Sequence, residues 1–324
     1  MKTIHWGVIG CGDVCEVKSG PAFSKCENSC LVTVMRRNQE RAVDFAKRHQ
    51  VEYYYTDAEL LINDPNVDVI YIATPPQSHA ELTIQALQAG KPVYVEKPMG
   101  INYNECLRMN QAAKDNNQKL WVAYYRRSLP YFLKVKELLE HQEIGDIQVV
   151  RTVFLRPPLP ADLDESTYTW RTDKEIAGGG YFFDMASHTI DILMFLLGNI
   201  KKASGVVSNV AHLYNVEDVV SASFLFDSGI VGSSVWSFVS SSEATTDDIE
   251  IIGSKGSIRF STFDFSDIVL KTTSKIETFH FDRPVHIQQH MIQSIVNEML
   301  GVGECPSTGE TAALTNWVMD QVTG

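Results

Sequence analysis

The tightest constraint in this sequence is a glycine turn set at the end of an apolar run. Residues 3–9 alternate and then become continuously apolar, and the run stops at Gly10-Cys11-Gly12. A helix-like stretch follows from Asp13. Glycine at the first position lets the strand turn sharply, and glycine at the second leaves the backbone bare, so that an anionic ligand can reach the helix N-terminus. The third small position of this pattern falls on Cys15, a departure from Gly or Ala that is still small enough for close helix–strand packing.

The alternation then repeats. A β-rich run, Leu31 to Met35, leads into the helical E-R-A-V-D-F-A-K-R-H. Val67 to Ala73 reads as a buried strand, with a helix from Ser78 to Ala89 after it. Short apolar runs recur at Pro92–Val95 and Lys119–Ala123, with a helix over Tyr103–Asp115 between them. Strands alternating with helices of this length predict βαβ units and a doubly wound parallel sheet covered on both faces. We therefore expect an α/β Rossmann domain over 1–123. In that context the turn Gly10, Cys11, Gly12, Asp13 and Val14 reads as a cradle for a dinucleotide pyrophosphate, the alternative being a purely structural glycine turn.

Beyond 123 the pattern changes. Residues 130–141 read as one helix with Pro130 at its start, Ile147–Leu155 as a strand, and R-P-P-L-P as loop. Residues 181–197 form a long apolar helix with polar residues set into it. From 200 to 281 strands dominate, separated by turn signals such as F-D-S-G and G-S-K-G-S, and helices return after Pro284. Strands joined by short turns predict an antiparallel sheet, so 124–324 is expected to be an α+β domain.

Composition narrows the function classes. With 28 basic against 40 acidic side chains and a formal charge of −12, the chain suits neither nucleic acid nor an anionic membrane surface. No run approaches the ~18–20 apolar residues of a membrane span, and the N-terminal run reaches glycine too soon for a signal peptide. A cytoplasmic location is the expectation. The six cysteines contain no C-x-x-C pair and read as free thiols rather than metal ligands. His286 and His290, four apart on an expected helix, lack a nearby acid ligand, so no metal site is assigned.

At the end of the second strand the sequence reads V-T-V-M-R-R-N. An acid there would bind a ribose 2′-hydroxyl; Arg36 and Arg37 instead suit a 2′-phosphate, which favours NADP over NAD. Read without that ligand, they are solvated surface arginines. Three further motifs carry chemistry. A-T-P-P-Q-S-H places Thr74, Pro75 and His79 on a proline-stiffened loop against the cofactor edge. V-Y-V-E-K-P puts Glu96 and Lys97 at the carboxyl end of a buried strand, where open α/β sheets bind ligands, with Lys97 before a proline whose peptide bond can be cis. A-G-G-G-Y-F-F-D-M-A-S-H sets Asp184 and His188 four apart, on one helix face.

Taken together, G-x-G, T-P-x-x-x-H, E-K-P and G-G-G-x-x-x-D-x-x-x-H resemble the glucose–fructose oxidoreductase/inositol dehydrogenase (Gfo/Idh/MocA) family over essentially the whole chain. The resemblance implies a Rossmann domain followed by an α+β domain on a large open sheet. It also implies NAD(P)-linked hydride transfer at CH–OH groups of sugars, cyclitols or diols, in a homodimer or homotetramer formed through that sheet. Lys97, Asp184 and His188 then form the catalytic and substrate-binding set. Histidine titrates near neutrality and suits proton transfer to or from the reacting hydroxyl. Lysine can hold the developing oxyanion, and the aspartate can orient the imidazole or pin substrate. Trp170-Arg171 resembles a W-R pair lining the cofactor or substrate cleft. Tyr125 occupies a substrate-contact position where many members have asparagine, and Gln77 stands where asparagine is frequent after T-P. Two rival readings stay open: a family glycosidase that uses NAD transiently, and a non-catalytic NADP-binding regulator.

Overall fold

The computed structural model describes residues 2–12 and 14–324. Two compact units emerge. One is the chain up to Leu129 together with Pro284–Ala313; the other is Pro130–Arg283 together with Leu314–Gly324. The expected cut after 123 is thus joined by two later crossings, because Pro284–Ala313 returns to the first unit. That return has a physical cause. The helix Gln289–Met299 buries Met291, Ile292, Ile295 and Val296. Glu298 accepts from Trp121 Nε1 at 2.9 Å, and Ser307 Oγ donates to the Val122 carbonyl at 2.7 Å.

The first unit holds six parallel strands: β1 (Ile4–Ile9), β2 (Ser29–Met35), β3 (Tyr53–Tyr55), β4 (Val69–Ile72), β5 (Val93–Val95) and β6 (Leu120–Val122). Their order is β3-β2-β1-β4-β5-β6. Every residue of β4, β5 and β6 is buried, as a sheet covered on both faces requires. The order reverses between β1 and β4, so the loops after these two strands flank the switch point where such sheets bind ligands. Helix starts follow their caps. Asn102 accepts from the Glu105 N–H at 2.9 Å, while the Glu105 carboxylate accepts from the Ile101 N–H at 3.0 Å, which fixes the start of Tyr103–Asp115. After β1 the expected helix is a π-helical turn, Cys15–Ser19, followed by a short α-helix, Gly20–Phe23.

The second unit is built on eight strands: β7 (Ile147–Leu155), β8 (Ile200–Ser208), β9 (Val219–Phe226), β10 (Val231–Ser237), β11 (Thr246–Gly253), β12 (Gly256–Phe260), β13 (Ile268–Thr272) and β14 (Ile276–Phe279). The order is β14-β13-β12-β11-β7-β10-β9-β8. All neighbours are antiparallel except β7 and β10, which run parallel. Alternation decides the faces: on β9, Val220, Ala222, Phe224 and Phe226 are buried while Ser221 and Ser223 are exposed. The 181–197 segment splits into a π-helical turn, Phe182–Ala186, and an α-helix, Ser187–Leu197. Among the described residues no helix is long and apolar enough to cross a membrane.

Candidate active site

In the first unit the glycine turn is held from two sides. The N–H groups of Gly10 and Cys11 both donate to the Met35 carbonyl, at 3.0 and 3.3 Å, which ties the turn to the end of β2. Gly10 has φ +89°, and a Cβ there would stand 2.7 Å from Thr74 Cγ2 and 3.0 Å from the Ala73 carbonyl carbon. Only glycine allows β1 and β4 to finish this close together. A Cβ on Gly12 would meet nothing nearer than the Gly10 carbonyl at 3.9 Å, so the backbone stays open to a ligand there. That is the space a dinucleotide pyrophosphate needs. Val14 is partly buried at the start of the π-helical turn; Asp13 lies outside the described residues. Arg36 Nη1 donates to the Cys11 carbonyl at 3.1 Å, so this arginine reaches back onto the glycine turn, whereas Arg37 is exposed.

Cys15 is fully buried. Burial raises its thiol well above the ordinary range and pushes Cys11 up to about 11. Both stay protonated at neutral pH and act as packing groups, not nucleophiles. All six cysteines are free, and among the described residues no group of three or more His, Cys, Asp or Glu side chains could hold a metal ion. His286 lies ahead of the helix Gln289–Met299, so the expected helical pairing with His290 is not made; the His286 carbonyl instead accepts from the Gln289 N–H in the turn that starts the helix.

The loop after β4 is braced by Ser78, whose hydroxyl donates to the Pro75 carbonyl at 2.9 Å and lies 2.7 Å from the Thr74 hydroxyl, which can donate to it. His79 is fully buried, with one ring nitrogen 2.8 Å from the Thr74 carbonyl and the other 3.0 Å from the Pro98 carbonyl. It therefore joins the T-P-P loop to the E-K-P loop. Gln77 is exposed.

Glu96 is the least anticipated part of this unit. The residue is 7% exposed, and its carboxylate accepts from Tyr71 Oη at 2.6 Å, Gln288 Nε2 at 2.6 Å and the Lys97 N–H at 3.1 Å. Tyr94 Oη in turn donates to Gln288 Oε1 at 3.0 Å. Glu96 thus faces inward and fixes the backbone of Lys97, whose peptide bond to Pro98 is cis. Lys97 itself is half-buried. Tyr125 is buried, with the Arg126 guanidinium 5.1 Å from its ring centre.

In the second unit the G-G-G run lets the chain pass close under a neighbouring loop. Gly180 has φ +56°, and a Cβ there would lie 2.6 Å from Val216 Cγ2. Asp184 sits in the π-helical turn that follows and His188 is the second residue of the next α-helix. The four-residue spacing spans the change of winding, and the structure gives Asp184 a partner the spacing does not announce: Arg171 Nε, at 2.7 Å. The same guanidinium lies 4.4 Å from the centre of the Trp170 ring. Trp170, Arg171 and Asp184 are therefore one assembly. His188 is buried, with Phe263 presenting at 6.0 Å and 80° to its ring. Thr189 Oγ1 is 3.2 Å from Thr262 Oγ1. Gln288, Phe263 and Thr262 carry no motif and have no local signal in the sequence.

The chain thus holds a parallel six-strand sheet with a glycine turn at its switch point and, in its other unit, a large mainly antiparallel sheet. Residues 4–124 match the model of the oxidoreductase family with an NAD-binding Rossmann fold, and 132–259 match the GFO/IDH/MocA C-terminal domain. The chain belongs to the Gfo/Idh/MocA family of oxidoreductases. It is 43% identical over 325 residues to oxidoreductase P35 of Formosa agariphila, covering 99% of this chain and 98% of that one. It is 31% identical over 234 residues to the trans-1,2-dihydrobenzene-1,2-diol dehydrogenase of Mus musculus, covering 71% of this chain and 67% of that one. A solved structure of levoglucosan dehydrogenase in complex with NADH superposes with a TM-score of 0.89 at 25% identity, over 99% of this chain and 96% of that one.

Proposed function

We propose that this protein is an NAD(P)-dependent dehydrogenase or reductase acting on a secondary alcohol or ketone of a sugar, cyclitol or diol-like substrate. The observation that carries the reading is Lys97. It stands at the carboxyl end of β5 in the parallel sheet that bears the glycine turn, and the buried Glu96 carboxylate accepts from its backbone N–H at 3.1 Å. A relative that oxidises dihydrodiols and a structural neighbour that binds NADH and is named for a sugar support the substrate class.

The nicotinamide, when bound, accepts or supplies the hydride. The chain's own residues do the rest. The turn Gly10, Cys11, Gly12, Asp13 and Val14 holds the pyrophosphate, with Thr74 and Pro75 beside it. Lys97 stabilises the oxyanion that forms as the hydroxyl loses its proton, and His188 takes that proton in oxidation or returns it in reduction. Asp184, paired with Arg171 next to Trp170, binds substrate or orients the imidazole. Tyr125 is assigned to the substrate. His79 and Glu96 serve cofactor and substrate through the loops they hold, since their polar atoms already bond within the protein.

Arg36 and Arg37 favour NADP over NAD. Arg36 is anchored at the glycine turn and Arg37 is open to solvent, with no acid between them and Glu40. The outer face of the eight-strand sheet exposes Val206, Val231 and Val235, which supports a homodimer or homotetramer formed there. Six free cysteines support a cytoplasmic location.

The test is a panel of sugars, inositols and diols with NADP and NADPH, followed at the reduced-nicotinamide absorbance band. Release of aglycone without an absorbance change would identify the glycosidase chemistry, and neither signal would identify a regulator. Lys97→Ala should lower turnover by ~100-fold or more while leaving nucleotide affinity in place; unaltered turnover refutes the assignment. Arg36→Asp should shift the NADP/NAD preference by ~10-fold or more toward NAD, the loss of one charge-assisted contact; an unchanged ratio refutes the NADP reading.

A further inference from the structure

Resting on the reading of His188 as the proton-transfer residue, we propose that Asp247 is a positioning residue for it. Asp247 acts by holding the loop between β12 and β13 beside the imidazole. Asp247 lies on β11, in register with Phe154 of β7. Its carboxylate accepts three consecutive backbone N–H groups: Thr262 at 2.9 Å, Phe263 at 2.5 Å and Asp264 at 3.0 Å. The two residues at the head of that run are the ones that meet the histidine segment. Phe263 stands at 80° to the His188 ring, and Thr262 pairs with Thr189 through their hydroxyls. Phe263 also packs on Phe154 at 5.0 Å, so the ring is backed from the sheet.

The ends of the loop are held by something else. Tyr131 Oη accepts from the Ser261 N–H at 2.9 Å and donates to the Ser266 carbonyl at 2.8 Å. Tyr131 fixes where the loop leaves and rejoins the sheet, which leaves Asp247 to set its middle. Aspartate is a poor strand residue, and a buried carboxylate is costly to desolvate. Burial raises the Asp247 carboxyl from its ordinary range, while the three N–H bonds and the nearby Asp264 pull in opposite senses. An apolar residue at this place on β11 would leave three backbone N–H donors without their acceptor. Three convergent donors at one carboxylate specify a single loop geometry, and the atoms so placed wall the imidazole.

The experiment uses the full chain as Asp247→Ala, Asp247→Asn and Phe263→Ala. The His188 ring signals are assigned by their loss in His188→Asn and followed by NMR through a pH titration. Asp247→Ala should shift the His188 titration and lower kcat by between about 10- and 100-fold with little change in KM, as expected for a misplaced proton-transfer group. Nucleotide affinity should be unchanged, and Asp247→Asn, which keeps one accepting oxygen, should recover part of kcat. A folded Asp247→Ala whose His188 titration and kcat match the parent overturns the proposal. If Asp247→Ala does not fold, Phe263→Ala decides: it removes the wall while keeping the three N–H bonds, and an unmoved His188 titration in it overturns the proposal. Retention of turnover by His188→Asn would instead refute the role given to His188, whereas a shifted His188 titration in Asp247→Ala would still support the positioning of its ring.

Discussion

Replacing Gln288 by leucine isolates the network behind Lys97. Gln288 is fully buried, and its amide links the Glu96 carboxylate at 2.6 Å to the Tyr94 hydroxyl at 3.0 Å. The Tyr71 and Tyr94 rings stack at 5.0 Å on one side of this network. Leucine has nearly the same volume, so the cavity contribution is small. Loss of one hydrogen bond to a carboxylate costs about 1.5–3 kcal/mol, and a buried tyrosine hydroxyl left without an acceptor costs about 1–3 kcal/mol more. The added apolar burial returns about 1–2 kcal/mol. The net loss should be about 1–5 kcal/mol, centred near 3. Urea unfolding followed by tryptophan fluorescence measures it. The second variant, Gln288→Leu with Tyr94→Phe, removes the stranded hydroxyl and should recover about 1–2 kcal/mol of that loss. Turnover should fall in Gln288→Leu, since the carboxylate that loses a donor also holds the Lys97 N–H. A Gln288→Leu protein within ~0.5 kcal/mol of the parent, or a double variant with no recovery, would refute the network.

Two further outcomes can be checked with the same assays. Gly10→Ala drives a Cβ into the Thr74 side chain and the backbone at the end of β4 at a left-handed φ, so it should cost about 1–3 kcal/mol in urea unfolding, whereas Gly12→Ala should keep its stability and lose nucleotide affinity in a fluorescence titration. Glu16 is held down to about 2, chiefly by its hydrogen bonds to Arg48, and a depressed carboxylate contributes stability above its unfolded value that is lost as pH falls. Glu16→Gln should therefore flatten the fall in stability between pH 4.5 and about 2, and an unchanged acid limb would show that the pair contributes nothing.

Local pattern carried the elements that local physics decides. Val93–Val95, Tyr103–Asp115 and Ile147–Leu155 are legible because an apolar run, a cap or an alternation sits within a few residues of each boundary. Tyr53–Tyr55 is not, since three tyrosines with no buried member become a strand only by pairing with β2 at the sheet edge. Apolar periodicity over 181–197 reads as one regular helix and does not separate π from α winding, so the split at Ser187 is invisible in it. In the candidate site, Lys97, Asp184 and His188 stand out by motif, but the groups that hold them do not. Gln288 reaches Glu96 across 192 residues, and only the folded return of Pro284–Ala313 brings the two together. Asp247 reads locally as a strand acid, and its three donors appear only once β12 has turned.

The π-helical turn at Phe182–Ala186 makes the alignment of the second unit's polar residues depend on a single residue of chain length. A π turn carries one residue more than the α winding around it. Deleting Met185 there would shorten the Asp184–His188 spacing from four residues to three and turn Asp184 about the helix axis relative to His188. The Arg171 contact would be lost with no side chain in the assembly having been altered. Relatives that differ by one residue in this stretch would present the same motif letters in a different orientation, so chain length here bears on chemistry as directly as residue identity does.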